Sequence, residues 1–199
     1  MSTTIMDGTG ANYRTKVAPN NRMYVQALSR TEFEEATNVG NAFNVNTEEI
    51  VLPATTGEQA LFYVKNNGAQ NLELAGWFIG IHNSNRAGAT DDTNLFRLRT
   101  NPTGGTLISD ASAAFVANRN LGSSTVFDVT AYKATGGGKT VTGFDDSAVL
   151  YQYHTAGRTF GSVSLSLPTG ASLAITVNTF GAAFDLYTGF TGYIRAADE

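Results

Sequence analysis

The residues most suggestive of chemistry are Gly138, Lys139 and Thr140, which end a glycine-rich run in the way that a phosphate-binding loop does. In that motif, G-x-x-x-x-G-K-[ST], backbone amides and the lysine hold phosphate at the start of a helix. The spacing fails here, because the first glycine would fall on Lys133 and residues 141–146 have no helical pattern. The sequence therefore predicts a flexible hairpin tip and no nucleotide site.

Residue types that bind metal or act as nucleophiles are few and wrongly spaced. The chain has no cysteine, and its two histidines, His82 and His154, lack the close pairing that metal sites use. Aspartate pairs at 91–92 and 145–146 stand in turns rich in glycine and threonine, where an aspartate bonds its own backbone. No Gly-x-Ser-x-Gly motif is present. We therefore expect no enzyme, no metal site and no cofactor, although paired carboxylates for glycoside hydrolysis could still meet in the fold.

The composition argues against several classes of partner. A net charge of −4 and a charged fraction of 15% provide no positive field for a nucleic-acid backbone. No stretch reaches the ~18 apolar residues that cross a bilayer, and the first residues lack a secretion signal. We expect a protein that is made in the cytoplasm and binds neither nucleic acid nor membrane.

Most of the chain after residue 41 alternates between apolar and polar residues, with turns rich in Asn, Thr and Gly. The predicted strands are Ala42–Asn46, Glu49–Leu52, Ala60–Asn66, Leu72–His82, Asn94–Arg99, Thr106–Ile108, Thr125–Tyr132, Ala148–Tyr153, Ser162–Leu167, Leu173–Asn178, and a terminal pair at Phe184–Tyr187 and Gly192–Arg195. Short strands at close spacing are typical of an all-β antiparallel sandwich or jelly roll. We assign residues 31–199 to this sandwich and residues 1–30 to an extended N-terminal arm.

Two elements have specific local signals. Asn67-Gly68, between the strands at 60–66 and 72–82, predicts a hairpin with a type I′ turn, because both residues tolerate positive φ. The segment 33–39 follows a capping sequence at 29–32 and precedes Gly40, which predicts a short helix with a glycine stop. The acidic residues at its start are typical of a helix N-terminus.

The aromatic side chains of two strands are candidates for an interface. In the strand at 72–82, one face carries Leu72, Leu74, Phe78 and His82, and the other carries Trp77, Ile79 and Ile81. Because both faces are apolar, this strand is predicted to be central or to meet another subunit. Tyr151 and Tyr153 share one face of a later strand, as a sugar-binding platform or a packing surface would require. Trp77, Tyr151 and Tyr153 are therefore candidate interface residues.

The N-terminal arm carries four further candidate interface residues, Arg14, Lys16, Arg22 and Arg30, on an otherwise acidic protein. The arm has too few apolar residues to offset the ~1–2 kcal/mol per residue that ordering its backbone costs. We expect it to become fixed on a partner surface. Its alternating residues 22–28 offer a second possibility, which is pairing within the chain's own sandwich.

Several phrases of the sequence go beyond generic β composition. They are residues 20–22 (NNR), 42–47 (AFNVNT), 63–67 (YVKNN), 101–106 (NPTGGT), 118–124 (NRNLGSS) and 167–175 (LPTGASLAI). Together they resemble a group of tailed-bacteriophage virion structural proteins. The resemblance implies a sandwich or jelly-roll body, no enzymatic role and assembly in many copies. The chain departs from that pattern after Asn178, where residues 179–184 replace a proline-containing turn.

The resemblance leads us to expect a virion protein, first of all a head decoration or cement protein that stabilises the particle through contacts between subunits. A tail, neck or baseplate component is the alternative of the same class. The expected partners are the major capsid protein or tail proteins, together with further copies of this chain as a homo-oligomer. A receptor- or carbohydrate-binding module that uses the tyrosine-rich strands is the alternative of another class.

Overall fold

The computed structural model describes residues 31–53, 57–84, 94–109, 112–153, 157–178 and 183–195. Contacts within the chain divide it into a unit of residues 1–31 and a unit of residues 32–199. All described helices and strands belong to the second unit. Several predicted features lie outside the described residues: Arg14, Lys16, Arg22, Arg30, the segment 22–28, the aspartate pair at 91–92, and His154.

The described part of the second unit contains two helices and twelve strands. The helices are α1 (Glu32–Val39) and α2 (Thr106–Ser109). The strands are β1 (Ala42–Asn46), β2 (Ile50–Leu52), β3 (Glu58–Asn66), β4 (Leu72–Ser84), β5 (Asn94–Thr100), β6 (Ser112–Ala113), β7 (Phe115–Asn118), β8 (Val129–Lys133), β9 (Asp146–Tyr153), β10 (Gly157–Leu167), β11 (Ser172–Asn178) and β12 (Phe184–Ile194).

The strands form two antiparallel sheets, which confirms the predicted all-β sandwich. The first sheet has the order β10-β4-β12-β1-β7, with β2 beside β12, and the second has the order β6-β8-β3-β11-β5-β9. Early strands pair with late ones in a nested series: β1 with β12, β3 with β11, β4 with β10, and β5 with β9. Successive pairs alternate between the two sheets, which is the rolled-up arrangement of a jelly roll.

The core lies between the two sheets. Phe62 of the second sheet and Phe190 of the first meet edge to face, with ring centroids 5.5 Å apart. Strands β3 and β11 are buried along nearly their whole length. Helix α2 contacts β3 and β8 of the second sheet, and its Leu107 is completely buried.

Helix α1 confirms the predicted short helix with a glycine stop. Gly40 has a φ of 81°, its amide donates to the carbonyl of Thr37, and the amide of Asn41 donates to the carbonyl of Ala36. These two bonds form a Schellman motif, which satisfies carbonyls that the end of a helix leaves free.

The predicted division of β4 into two apolar faces is wrong. The register shifts between Leu74 and Gly76, so that Ala75 has no partner on β12. A bulge of one residue reverses which side chains point inward. Leu74 and Trp77 consequently line the same small core cavity of about 20 Å³, and Ile79 is buried on the same side.

The predicted hairpin at Asn67-Gly68 is also wrong, because β3 belongs to the second sheet and β4 to the first. Neither residue has a positive φ. The buried Asn66 organises the corner: its Nδ2 donates to the carbonyls of Gln70 and Leu167, at 2.8 Å each, and its Oδ1 accepts from the amide of Gly68. These bonds replace the turn hydrogen bonds of a hairpin and lead the chain from one sheet to the other.

Two further strand predictions are corrected by the structure. The segment at 106–108 is helical, because the amides of Ile108 and Ser109 turn back to the carbonyl of Gly105. The two predicted terminal strands are the single strand β12. Gly189 does not break this strand: a Cβ there would lie 2.1 Å from the carbonyl oxygen of Val45, so the glycine allows the close approach of β1.

Candidate interaction surface

The glycine-rich segment that ends in Gly138-Lys139-Thr140 is a part of the fold and not the predicted hairpin tip, since β8 and β9, which it connects, lie apart in the second sheet. The amide of Gly138 donates to Oε1 of the buried Gln59, at 3.1 Å. The carbonyl of Lys139 accepts from the amide of Ala60, at 2.7 Å. A backbone committed to these bonds does not form the cradle of amides that binds phosphate.

Within the described ranges, no three residues of the types His, Cys, Asp and Glu come together as metal ligands. Within the same ranges, no helix is long and apolar enough to cross a membrane.

The strongest charged cluster is centred on Glu58. Arg99 binds this carboxylate through two nitrogens, with Nε at 2.8 Å from Oε1, while Arg97 contacts it at 3.3 Å and Thr176 donates its hydroxyl. Phe144 stacks on the guanidinium of Arg99, 4.2 Å from its ring centroid. Burial raises the pKa of Glu58, but the hydrogen bonds from Arg99 and Thr176 and the two positive charges outweigh it, so the pKa lies below its ordinary value. The cluster ties β3, β5 and β11 together.

The three aromatic residues that the sequence suggested for an interface belong to different sheets. Trp77 in β4 is half-buried and packs against the core. Its indole lies over Gly161, where a Cβ would be 2.3 Å from Nε1 of Trp77. Tyr151 and Tyr153 are in β9, the edge strand of the second sheet, opposite Phe96 and Asn94. Trp77 thus has a packing role, and it does not form one platform with the two tyrosines.

The loop 118–125 has an unusually complete set of internal hydrogen bonds. Oδ1 of Asn118 accepts from the amide of Asn120, Oδ1 of Asn120 accepts from the amide of Gly122, and Oγ of Ser123 accepts from the amide of Thr125. Side chains that bond their own backbone two residues later form tight turns. The loop is therefore held in one conformation by its sequence.

The same loop is bound to the end of α1. Nδ2 of Asn118 donates to the carbonyl of Gly40 at 2.7 Å, and Nδ2 of Asn120 donates to the carbonyl of Asn38 at 2.9 Å. A Cβ on Gly40 would lie 2.1 Å from Oγ of Ser123, so only glycine permits this approach. The last carbonyls of the helix and the loop consequently form one rigid unit.

Helix α1 is in turn fixed to the first sheet. Phe33 packs edge-on against Tyr193, with centroids 6.0 Å apart, and Arg119 stacks 5.0 Å from the ring centroid of Phe33. Glu32 accepts from the hydroxyl of Tyr193 at 2.8 Å and from Arg195 at 3.1 Å. Burial and the hydrogen bond to Glu32 raise the pKa of Tyr193 to about 12, while that hydrogen bond and the charge of Arg195 lower the pKa of Glu32.

This rigid unit presents apolar side chains to solvent. The exposed fractions are 57% for Val39, 97% for Leu121 and 82% for Val126. We call these three residues, with the loop 118–125 and the end of α1, the apolar end surface. It borders a groove of about 490 Å³, lined by Val126, Phe127, Ile194, Asn66, Gln70 and Asp128.

Sequence reasoning missed the apolar end surface. Its signal is present in the phrase NRNLGSS at 118–124, where a single leucine stands among residues that form turns. After the loop, Phe127 stacks on Phe43, with centroids 4.1 Å apart. β8 begins at Val129 and not at the predicted Thr125.

The sequence matches no protein-family model and no curated protein.

Proposed function

We propose that this chain is a structural protein of a bacteriophage virion, first of all a head decoration or cement protein that binds neighbouring subunits. The sequence phrases that resemble virion structural proteins support the class. The jelly-roll body is compatible with it, since capsid proteins are among the proteins built on this fold, although a fold alone does not specify a function.

The observation that carries the proposal is the almost complete exposure of Leu121 on a loop that hydrogen bonds hold rigid. Burying one leucine side chain stabilises a contact by about 1.5–3 kcal/mol. A single exposed apolar residue is ordinary, but several on one rigid surface are typical of a binding site for another protein. A fixed loop also loses little conformational entropy on binding.

A protein inventory of purified particles tests the proposal. We expect peptides of this chain in virions of the encoding phage, with a copy number in the hundreds for a capsid protein. A copy number equal to that of one ring or fibre supports the tail, neck or baseplate alternative. Particles without the chain contradict the proposal.

The receptor- or carbohydrate-binding alternative gains no specific support from the first sheet. The hydroxyl of Tyr193 is bonded to Glu32, and the ring of Tyr187 covers Gly80, where a Cβ would lie 2.2 Å from Cζ. Both tyrosines thus have roles inside the fold. A glycan array with the purified protein would bring this alternative back if it gave a reproducible sugar ligand.

A further inference from the structure

We propose that the apolar end surface binds a second copy of this chain in a two-fold symmetric dimer, in which Leu121 of each copy occupies the groove of the other. This inference rests on the proposed assembly function and names the partner.

The groove suits an apolar side chain. Its lining is mixed: Val126, Phe127 and Ile194 are apolar, and Asn66, Gln70 and Asp128 are polar. An apolar anchor in a pocket with a polar rim is the usual arrangement at the centre of a protein interface. Leu121, with 97% of its surface exposed, is the most exposed large apolar residue in the described part of the chain.

Leu121, which would serve as the knob, and the groove are carried by neighbouring residues of the chain. Leu121 belongs to the loop 118–125, and Val126, which follows this loop directly, lines the groove. A two-fold axis uses the same patch on both subunits, so each patch must supply both a knob and a hole. A surface for an unrelated partner needs no such self-complementarity.

The charges beside these two features are also complementary. Arg119 precedes the knob by two residues, and Asp128 lines the groove. In the proposed dimer, the positive charge that neighbours Leu121 faces the negative charge that lines the groove of the second copy. Arg119 is already positioned by Nη1, which donates to Oδ1 of Asn44 at 2.8 Å, and a guanidinium has further N–H groups for a second acceptor.

The oligomeric state of the full chain tests the dimer. Sedimentation over a range of protein concentrations should give a monomer–dimer equilibrium. Leu121→Asp should weaken the dimer on the order of 30-fold or more. Because this side chain is exposed, the melting temperature of the monomer should stay the same. Val51→Asp is the matched control, since Val51 is 59% exposed on β2, outside the apolar end surface, and the dimer should persist.

A charge exchange tests the register of the contact. Asp128→Arg alone should weaken the dimer by placing like charges together, and adding Arg119→Asp should restore it. Circular dichroism of each variant separates an effect on the interface from a loss of folding. A double variant that is folded but stays monomeric overturns the proposed arrangement.

Other outcomes decide between the proposals. A wild-type chain that stays monomeric, a dimer unaffected by Leu121→Asp, or an open-ended oligomer overturns the two-fold dimer. If such a chain is still found in virions, the proposed function stands and its surface binds a different virion protein. A dimer that depends on Leu121 but is missing from virions supports the interface and contradicts the proposed function.

Discussion

At the scale of single residues, most polar side chains that the structure buries have a fixed structural partner. Glu58 is the clearest case, because one carboxylate accepts bonds from two arginines and a threonine on neighbouring strands. Hydrogen bonds to a charged group are stronger than those between neutral groups. A substitution that removes one member of the cluster also leaves the remaining charged groups unpaired at a partly buried site, which is destabilising. The cluster therefore acts as a clamp on the second sheet.

Replacing Glu58 with Gln should lower the free energy of unfolding by about 1–3 kcal/mol at pH 7. The pKa of Glu58 is lower in the folded protein than its ordinary value of 4.5. Glu58 therefore takes up a proton more readily in the unfolded chain than in the folded protein. The stabilisation by ionised Glu58 is fully present above its ordinary pKa, and it is lost as the pH falls through the lower pKa of the folded state. Urea denaturation at a series of pH values should show the difference between wild type and Glu58→Gln shrinking below about pH 4.5. A difference that is constant with pH contradicts this role.

Two glycines with the same backbone conformation allow a matched comparison. Gly40 and Gly170 have φ values of 81° and 83°, but a Cβ on Gly40 meets Ser123, whereas nothing lies within 4 Å of one on Gly170. Gly170→Ala should lower the free energy of unfolding by only ~1–2 kcal/mol, which is the strain of an alanine with a left-handed backbone. Gly40→Ala should lower it further, because the added Cβ also pushes the loop 118–125 away from α1. Thermal denaturation measures both, and equal shifts in melting temperature would contradict the packing argument.

At the scale of elements, the turns that connect the strands are controlled by asparagine side chains. Asn66 directs the crossing from β3 to β4, and Asn118 and Asn120 join the loop 118–125 to α1. An asparagine can satisfy both backbone donors and backbone acceptors, which suits a place where the chain leaves a sheet. The positions of these connections therefore depend on side-chain bonds more than on turn type.

Asn66→Ala should destabilise the protein by about 2–4 kcal/mol, because three hydrogen bonds are lost, two of them from the buried Nδ2 to the carbonyls of Gln70 and Leu167. The amide of Gly68 keeps its bond to the carbonyl of Asp128. The adjacent Asn67→Ala should cost less than about 1 kcal/mol, since Asn67 is exposed and its side chain makes one bond, to Thr130. Chemical denaturation of the two variants tests the difference. If Asn67→Ala were the more damaging variant, the hairpin interpretation would return.

At the scale of the whole molecule, the jelly roll places the first and last strands of the body side by side. β1 pairs with β12 along its full length, and β12 also pairs with β4 and β2. Every described strand of residues 42–194 pairs with another described strand of that range. The body is expected to fold without the segment that precedes it.

A chain that begins at residue 31 should therefore unfold cooperatively, with a melting temperature close to that of the full chain. The same chain should fail to join particles if the basic residues of the arm, Arg14, Lys16, Arg22 and Arg30, bind neighbouring subunits, and raised salt should mimic this loss. Calorimetry and an incorporation assay measure the two effects. A sharp fall in melting temperature would instead show that residues 22–28 pair within the sandwich, and unchanged stability with unchanged incorporation contradicts both versions.

The positions of most elements follow from local patterns in the sequence. The bounds of β1 agree with the alternation at every residue, α1 ends where Gly40 stops it, and β11 begins one residue before its predicted start. These features are local: alternation, capping and glycine conformation act over a few neighbouring residues. The fold class followed from the same patterns.

The pairing of the strands and the exposure of their side chains depend on tertiary contacts. β3 pairs with β8 and β11, and β4 pairs with β10 and β12, so the two strands lie in different sheets, and Asn66 bonds Leu167 at the crossing between them. The bulge at Ala75 reverses the faces of β4, and bonds to α1 hold Leu121 outward. Each of these results depends on contacts between segments that are far apart in the sequence. The local alternation of apolar and polar residues carries no information about the free energy of such contacts.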